Sequence, residues 1–427
     1  LLYKYTKEDF FMSNEKVMNR WLVVVGAILI QLALGAIYAW SVFTKPLVDA
    51  GWTKVQTQIV FALGLAFFAI VMVFAGKKLN SWGPRTLAIA GGLVLGAGYL
   101  LAGLVGGTNF TALAILIGVV GGSGIGLGYV VPIAVGMRWF PDKKGMITGL
   151  AVAGFGFGAM GWVKLAGEWG NLIRDMGLSN TFTMYGIAFA AMVVIGGFVM
   201  VFPPDGWKPE GWAGETGAGG AAASSVNFES GEMLRTPQFY MIWLTFLFGA
   251  SAGLMSIGLM KLYPMQALQA NGLDEASASA VAGTAMAVFF SLANGLGRIG
   301  WGMLSDKLGR KPSIVIMSAV QGVTVLAFTF MAGTPALLYI GATLIGFNFG
   351  GNFALFPAIT ADTFGTKNVG NNYPFVFLSY GVGGIVGPIM GGVLGDMGNF
   401  PLAFTICGVA CLVGAVLTGM VKKPSRA

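Results

Sequence analysis

Gly302-Met303-Leu304-Ser305-Asp306-Lys307-Leu308-Gly309-Arg310-Lys311 decides the fold, because the chain carries a second, weaker copy of it. The copy is Gly76-Lys77-Lys78-Leu79-Asn80-Ser81-Trp82-Gly83-Pro84-Arg85, offset by 226 residues. Each copy follows an apolar run and precedes another. A further pair, Trp139-Phe140-Pro141-Asp142-Lys143 and Thr363-Phe364-Gly365-Thr366-Lys367, repeats at an offset of 224. Working outward, twelve apolar runs read as spans: 21–43, 55–76, 86–106, 111–137, 145–167, 182–202, 238–262, 278–303, 313–333, 335–358, 370–394 and 400–421. Runs of roughly 20 residues cross a hydrocarbon core about 30 Å thick. The predicted fold is an all-α membrane protein, with twelve transmembrane helices in two six-helix halves. Parallel repeats of this kind bind substrate between the halves near midplane and alternate access by rocking.

Composition agrees. Of 427 residues, 56% are hydrophobic and 10% charged, with a mean hydropathy of +0.77; a soluble domain carries about 25% charged residues. Glycine, at 68 residues, predicts close helix packing through small side chains. The expected domains are an N-terminal cytoplasmic tail (1–20), an N-terminal half (21–202), a cytoplasmic linker (203–237), a C-terminal half (238–421) and a C-terminal cytoplasmic tail (422–427). Within the linker, 216–225 is Gly/Ala/Ser-rich and reads as flexible, while 227–238 reads as a short surface helix. With both termini inside, nineteen of the 25 Lys and Arg fall on inner segments and five on outer ones. That bias sets the topology and accounts for the net charge of +8 without nucleic acid. Residues 1–17 are too charged for a signal peptide, and Met12 or Met18 is the expected natural start. Cys407 and Cys411 lie four apart on one apolar run and are expected to pack. There is no His, so neither a histidine proton relay nor a His-ligated metal site exists. No cofactor is expected.

The remaining charged residue, Arg298, lies inside the run 280–304. A charge at membrane depth is costly and normally faces inward toward a functional partner, and no acidic residue lies in any run to pair with it. An anion arriving from outside the protein suits it, since the guanidinium fork matches a carboxylate. The alternative is snorkelling to the inner interface, because Asp306 is only about 12 Å further along a helix. Ser291, Asn294, Gly295 and Arg298 share one helix face, as do Tyr373, Phe377 and Tyr380 on span 11. Phe349, Phe353 and Phe356 form a stripe on span 10, with Asn348 and Asn352 beside it. Aromatic stripes in a bundle also arise from core packing alone. In the N-terminal half, Gln31 and Tyr38 share a face and Tyr129 lies mid-span. A buried tyrosine hydroxyl needs a partner, which a substrate oxygen or a neighbouring helix can supply. Gln56 is a weaker candidate. The loop charges Arg138 with Asp142, Asp306 with Arg310, and Asp362 with Lys367 are expected to form inter-half or loop ion pairs that stabilise one conformation. Asp274 and Glu275, near an outer helix end, are the residual proton-relay candidates.

The repeat at 302–311 resembles the loop signature of the major facilitator superfamily, and Asn80 departs from it where the family usually has Asp. Nearly the whole chain resembles the oxalate/formate antiporter and monocarboxylate transporter branch. The residues carrying that resemblance are Tyr38-Ala39-Trp40-Ser41, Arg138-Trp139-Phe140-Pro141-Asp142-Lys143-Lys144-Gly145, Ser230-Gly231-Glu232-Met233-Leu234-Arg235-Thr236-Pro237-Gln238-Phe239 and Ala354-Leu355-Phe356-Pro357. The resemblance implies that Arg298 binds a carboxylate, that Phe349, Phe353 and Phe377 surround it, and that Tyr38 and Tyr129 belong to the site. The animal monocarboxylate transporters have an aspartate where Asn294 stands. The oxalate antiporter has a second cation, a lysine, where the motif here runs into Tyr380. One cation implies one carboxylate in the substrate.

The expected function is therefore transport of a small monocarboxylate, of the lactate or pyruvate class, with H⁺ across the plasma (inner) membrane. The expected partners are that anion, H⁺ and the lipid bilayer, and a monomer is expected to function. Carboxylate exchange, as in an oxalate/formate antiporter, is the alternative. An anion channel conflicts with the repeat symmetry. A membrane-embedded enzyme would need an intramembrane acid, His or nucleophile–base pair. Nothing resembles an ATP-binding loop.

Overall fold

The computed structural model describes residues 17–167, 170–204, 206–209, 227–260, 262–422 and 424. The flexible stretch expected at 216–225, most of both tails and Lys261 lie outside the described residues. Twelve described helices are long and apolar enough to span a membrane. They are α1 (Arg20–Trp40), α2 (Lys54–Trp82), α3 (Pro84–Leu104), α4 (Phe110–Trp139), α5 (Lys144–Ala166) and α6 (Leu172–Gly197), followed by α7 (Pro237–Leu259), α8 (Glu275–Leu308), α9 (Arg310–Met331), α10 (Pro335–Phe364), α11 (Val369–Asp396) and α12 (Phe400–Met420). No strand occurs among the described residues. The protein is a multi-pass, all-α membrane protein in two six-helix halves.

The repeated motif is mostly helix. α2 runs through Lys77 and Lys78 to Trp82, and α8 runs through Asp306 to Leu308. The chain then reverses on one glycine in each half, Gly83 at φ +80° and Gly309 at φ +90°, a left-handed conformation that glycine adopts without a Cβ penalty. α6 begins ten residues earlier than hydropathy predicts. Its polar first turns are helical and end in a kink at Gly177 (φ +77°).

Glycine sets the spacing where the halves meet. A Cβ on Gly149 of α5 would lie 2.2 Å from the Arg298 carbonyl oxygen of α8, and one on Gly76 of α2 would lie 2.3 Å from the Gly370 carbonyl oxygen of α11. The helices touch backbone to backbone at these points, the packing mode that replaces hydrophobic drive within lipid. Cys407 and Cys411 are both free and buried, in the packed face of α12.

The helices that place Tyr38, Tyr129 and Arg298 each leave α geometry. Residues Gly35–Trp40 of α1 form a 3₁₀ turn, Ala114–Gly121 of α4 is π-helical and so is Ala285–Phe290 of α8. Such turns rotate the faces that follow them and recur at functional positions.

Candidate functional site

Arg298 does not snorkel: it is fully buried and, among the described residues, is the one charged side chain that is. Four groups hold it. Its Nε donates to Asn294 Oδ1 at 3.1 Å, one turn back on α8. Its Nη1 donates across the inter-half interface to the Val152 carbonyl of α5 at 2.9 Å. Its carbon Cζ lies 4.0 Å from the centroid of the Phe353 ring and 5.3 Å from that of Phe155. Nη2 has no protein partner. An unmet buried donor costs about 1–3 kcal/mol, more when it carries charge. The guanidinium is thus fixed at two corners, with donor capacity left at the third.

Aromatic rings from both halves close around it. Tyr38 and Tyr380 meet hydroxyl to hydroxyl at 2.6 Å, joining α1 to α11. Phe377 packs 5.3 Å from Tyr129, 5.0 Å from Phe68 and 4.8 Å from Tyr380. Phe349 lies 6.4 Å from Tyr38 and 5.3 Å from Phe353. Tyr38 and Tyr129 both lie within the electrostatic reach of Arg298. The Tyr129 hydroxyl is buried with no protein partner, as is the Tyr373 hydroxyl on α11. Gln31 approaches from the N-terminal half. Its Nε2 donates to the Tyr129 carbonyl at 3.4 Å, and its Oε1 has no partner. All nine residues expected at the site are buried, and the contacts above place them at or beside the interface of the halves. The site is closed to solvent in this conformation.

Sequence reasoning missed four contributors. Phe155 touches Tyr38, Tyr129 and Arg298, and Phe68 touches Tyr129, Phe377 and Tyr380. Phe246 contacts Phe353, Phe377 and Tyr380, and the Val152 carbonyl receives Arg298. A phenylalanine in an apolar run has no distinguishing pattern, and a carbonyl is not a residue type.

Several candidates have local roles instead. Gln56 closes a capping box at the start of α2, accepting from the Thr53 N–H at 2.8 Å. Phe356 stacks on Phe246 at 4.4 Å, Asn348 accepts from Trp301 Nε1 at 3.1 Å, and Asn352 donates to the Phe349 carbonyl at 3.1 Å. Ser291 donates to the Met286 carbonyl at 3.0 Å. Asp274 caps α8, accepting from the Ser277 N–H at 2.9 Å, and hydrogen bonds from the Ser277 side chain and backbone hold its carboxyl below the usual carboxylate range. A group that stays ionised through neutral pH is a poor proton carrier.

One expected loop pair, Asp306 with Arg310, forms, and further partners join the other loop charges. Asp142 meets Arg20 at 3.0 Å, while Arg138 donates to Asn80 at 3.1 Å and lies over the Phe202 ring. Arg310 is shared between Asp306 at 2.6 Å and Asp362 at 3.3 Å. These contacts stay within a half. One inter-half contact is a carboxylate to a backbone amide, with the Met146 N–H of α5 donating to Asp306 at 2.8 Å. An isolated loop sequence does not reveal that the neighbouring half supplies a helix N-terminus there.

Among the described residues, twelve spans in two repeated halves, packed around one buried cation, have the major facilitator fold. Residues 264–427 match the Major Facilitator Superfamily model. The chain is 28% identical to the oxalate:formate antiporter of Oxalobacter formigenes, over 88% of this chain and 85% of the relative. It is 24% identical to apicoplast pyruvate carrier 1 of Toxoplasma gondii, over 84% of this chain and 81% of that one. In fold it is similar to the major facilitator transporter FucP in its outward conformation, with a TM-score of 0.64 at 15% identity, covering 93% of this chain and 97% of that one.

Proposed function

We propose that the protein is a secondary transporter of a small monocarboxylate of the lactate or pyruvate class, driven by the proton gradient. Arg298 carries this reading. It is the buried charge between the halves, it retains an unpartnered Nη2, and it is bordered by Tyr380 rather than by a second cation. A carboxylate would accept from Nη2 and from the Tyr129 hydroxyl, leaving the pair neutral and able to cross with the halves. Phe353 and Phe155 flank the guanidinium and suit a short apolar substituent on the acid. Because the site is closed, entry requires the halves to part, which breaks the Tyr38–Tyr380 bond on one side or the Asp306–Met146 contact on the other. Both termini lie at the cytoplasmic face of the plasma (inner) membrane, by the bias of basic residues, and one copy suffices.

Carboxylate exchange is the second reading. Asn294 stands beside Arg298 where a protonatable aspartate would serve coupling, and no acidic side chain is buried among the described residues. Among the relatives, one is an oxalate:formate antiporter and another a pyruvate carrier. Uptake of labelled pyruvate or lactate into proteoliposomes decides between the two. Symport predicts acceleration by an inward proton gradient and loss with a protonophore. Uptake that ignores the gradient but requires a carboxylate inside the vesicle would establish exchange.

A further inference from the structure

A crevice on the lipid-facing surface is lined by helices of both halves. It encloses about 380 Å³ between Ala66, Ala69 and Ile70 of α2, Phe239 and Trp243 of α7, and Phe375 to Ile385 of α11. Its lining is apolar apart from backbone. Its floor is the contact of α2 with α11, where a Cβ on Gly381 would lie 2.6 Å from that of Ala69. From Phe375 to Ile385 α11 rises about 15 Å, half of a hydrocarbon core about 30 Å thick. The crevice is therefore one leaflet deep. It opens at the end of the bundle that carries most of the basic residues.

That mouth is cationic. Lys77, exposed on α2, places its Nζ 5.6 Å from the Phe375 ring that lines the crevice. Arg235, also exposed, follows the lining residue Leu234. The acidic residues nearby are Glu229 and Glu232, and Glu232 is engaged in capping the short helix Ser230–Met233. Apolar depth matching one leaflet, with two cations at the headgroup level, fits an amphiphile with an acyl chain and an anionic head. Basic pockets between helices on the cytoplasmic side bind acidic phospholipids in this way.

We infer that this crevice is a binding site for an anionic glycerophospholipid of the basic-side leaflet, its acyl chain laid between α2, α7 and α11 and its phosphate on Lys77 and Arg235. The bound chain touches both halves at once. The inference does not depend on what the protein transports.

The test uses the purified full chain exposed to equimolar dioleoylphosphatidylglycerol and dioleoylphosphatidylcholine, with retained lipids counted by native mass spectrometry. Each cation near a membrane surface is worth about fivefold in affinity for an anionic head, so wild type should prefer the glycerol lipid by about 25-fold. Lys77→Gln and Arg235→Gln should each reduce that preference about fivefold. Ala66→Phe, which fills the crevice, should lower retention of both lipids several-fold. Equal retention of the two lipids by wild type would overturn the site, as would cation variants without effect. Retention of both lipids surviving intact in Ala66→Phe would place the lipid site elsewhere and overturn the crevice assignment. The two cations are exposed, so their variants remain a valid test even if the crevice variant fails to fold.

Discussion

The halves meet along two seams related by the internal repeat, and the seams are built from different chemistry. On the α5–α8 seam, charged side chains of α8 bind backbone of α5: Arg298 donates to the Val152 carbonyl, and Asp306 accepts from the Met146 N–H. On the α2–α11 seam the repeat offset of 226 places Met72 where α8 has Arg298 and Asn80 where it has Asp306. That seam is held by glycine contacts, Gly76 on Gly370 and Gly381 on Ala69, and by Phe68 against Phe377 and Tyr380. One seam thus carries both the buried cation and the polar clamp, and the other closes by shape. Duplication supplied the scaffold twice, and the charge was placed in one copy.

Removing the charge from the polar seam should have the largest effect. Arg298→Gln should reduce carboxylate uptake by a hundredfold or more at normal membrane abundance, because the one buried cation among the described residues is gone. Arg298→Lys should fail similarly, since an ammonium cannot reproduce the fork that holds Asn294, Val152 and a carboxylate together. Proteoliposome uptake checks both, and near-normal uptake in Arg298→Gln would remove the site assignment.

Selectivity comes next, at the point where the two seams converge. Tyr380 leaves the site with one cation, so a dicarboxylate would hold its second charge unpaired in a low-dielectric cavity. That costs several kcal/mol, at about 1.4 kcal/mol per decade of affinity. Lactate or pyruvate should compete for uptake about a hundredfold better than oxalate or malonate. Tyr380→Lys should narrow the gap, with slower turnover because two like charges resist closure. Strong oxalate competition in wild type would show that Tyr380 does not set specificity and would favour exchange.

The apolar seam can be tested by steric load. Gly76→Ala directs a methyl onto the Gly370 carbonyl, which cannot move away, whereas Gly370→Ala meets the Leu79 side chain, which can. Overpacking of this kind costs about 1–3 kcal/mol. Gly76→Ala should shift the population away from the state with this seam closed by roughly tenfold, and Gly370→Ala by much less. Labelling of a cysteine introduced at the basic end measures the shift, and equal labelling of the two variants would mean the seam does not close by contact there.

The contrast between seams also separates what the sequence made legible from what it did not. Spans and repeat were readable because hydropathy and the motif at 302–311 are sequence signals. Helix ends were less so, as the polar but helical first turns of α6 show. Arg298 stood out as a lone charge, and Asn294 one turn away followed from helix spacing. The α5 side of the seam was invisible because it acts through backbone, at Val152 and Met146. Phe155 and Phe68 were hidden among other apolar residues. The π-helical turns in α4 and α8 and the 3₁₀ turn in α1 rotate faces in ways that an ideal helix period does not anticipate.

The smallest effect should come from exchanging the two motif residues that distinguish the seams. Asp306→Asn keeps an oxygen acceptor for the Met146 N–H but removes the charge that strengthens the bond and that pairs with Arg310 at 2.6 Å. Charge-assisted hydrogen bonds are roughly twice as strong as neutral ones, so the loss is about 1 kcal/mol, a fivefold shift toward opening at the basic end. Arg310 retains Asp362 at 3.3 Å, which limits damage to the C-terminal half. Asn80→Asp is the reciprocal change. It adds a carboxylate beside Arg138, which already donates to Asn80 at 3.1 Å, and so introduces charge to the apolar seam. If position 80 can clamp as position 306 does, Asn80→Asp should restore closure in Asp306→Asn, read by the same cysteine labelling. If the double variant labels like Asp306→Asn alone, the clamp depends on the Met146 amide of α5 and not on the motif position, and the seams differ in backbone as well as in charge.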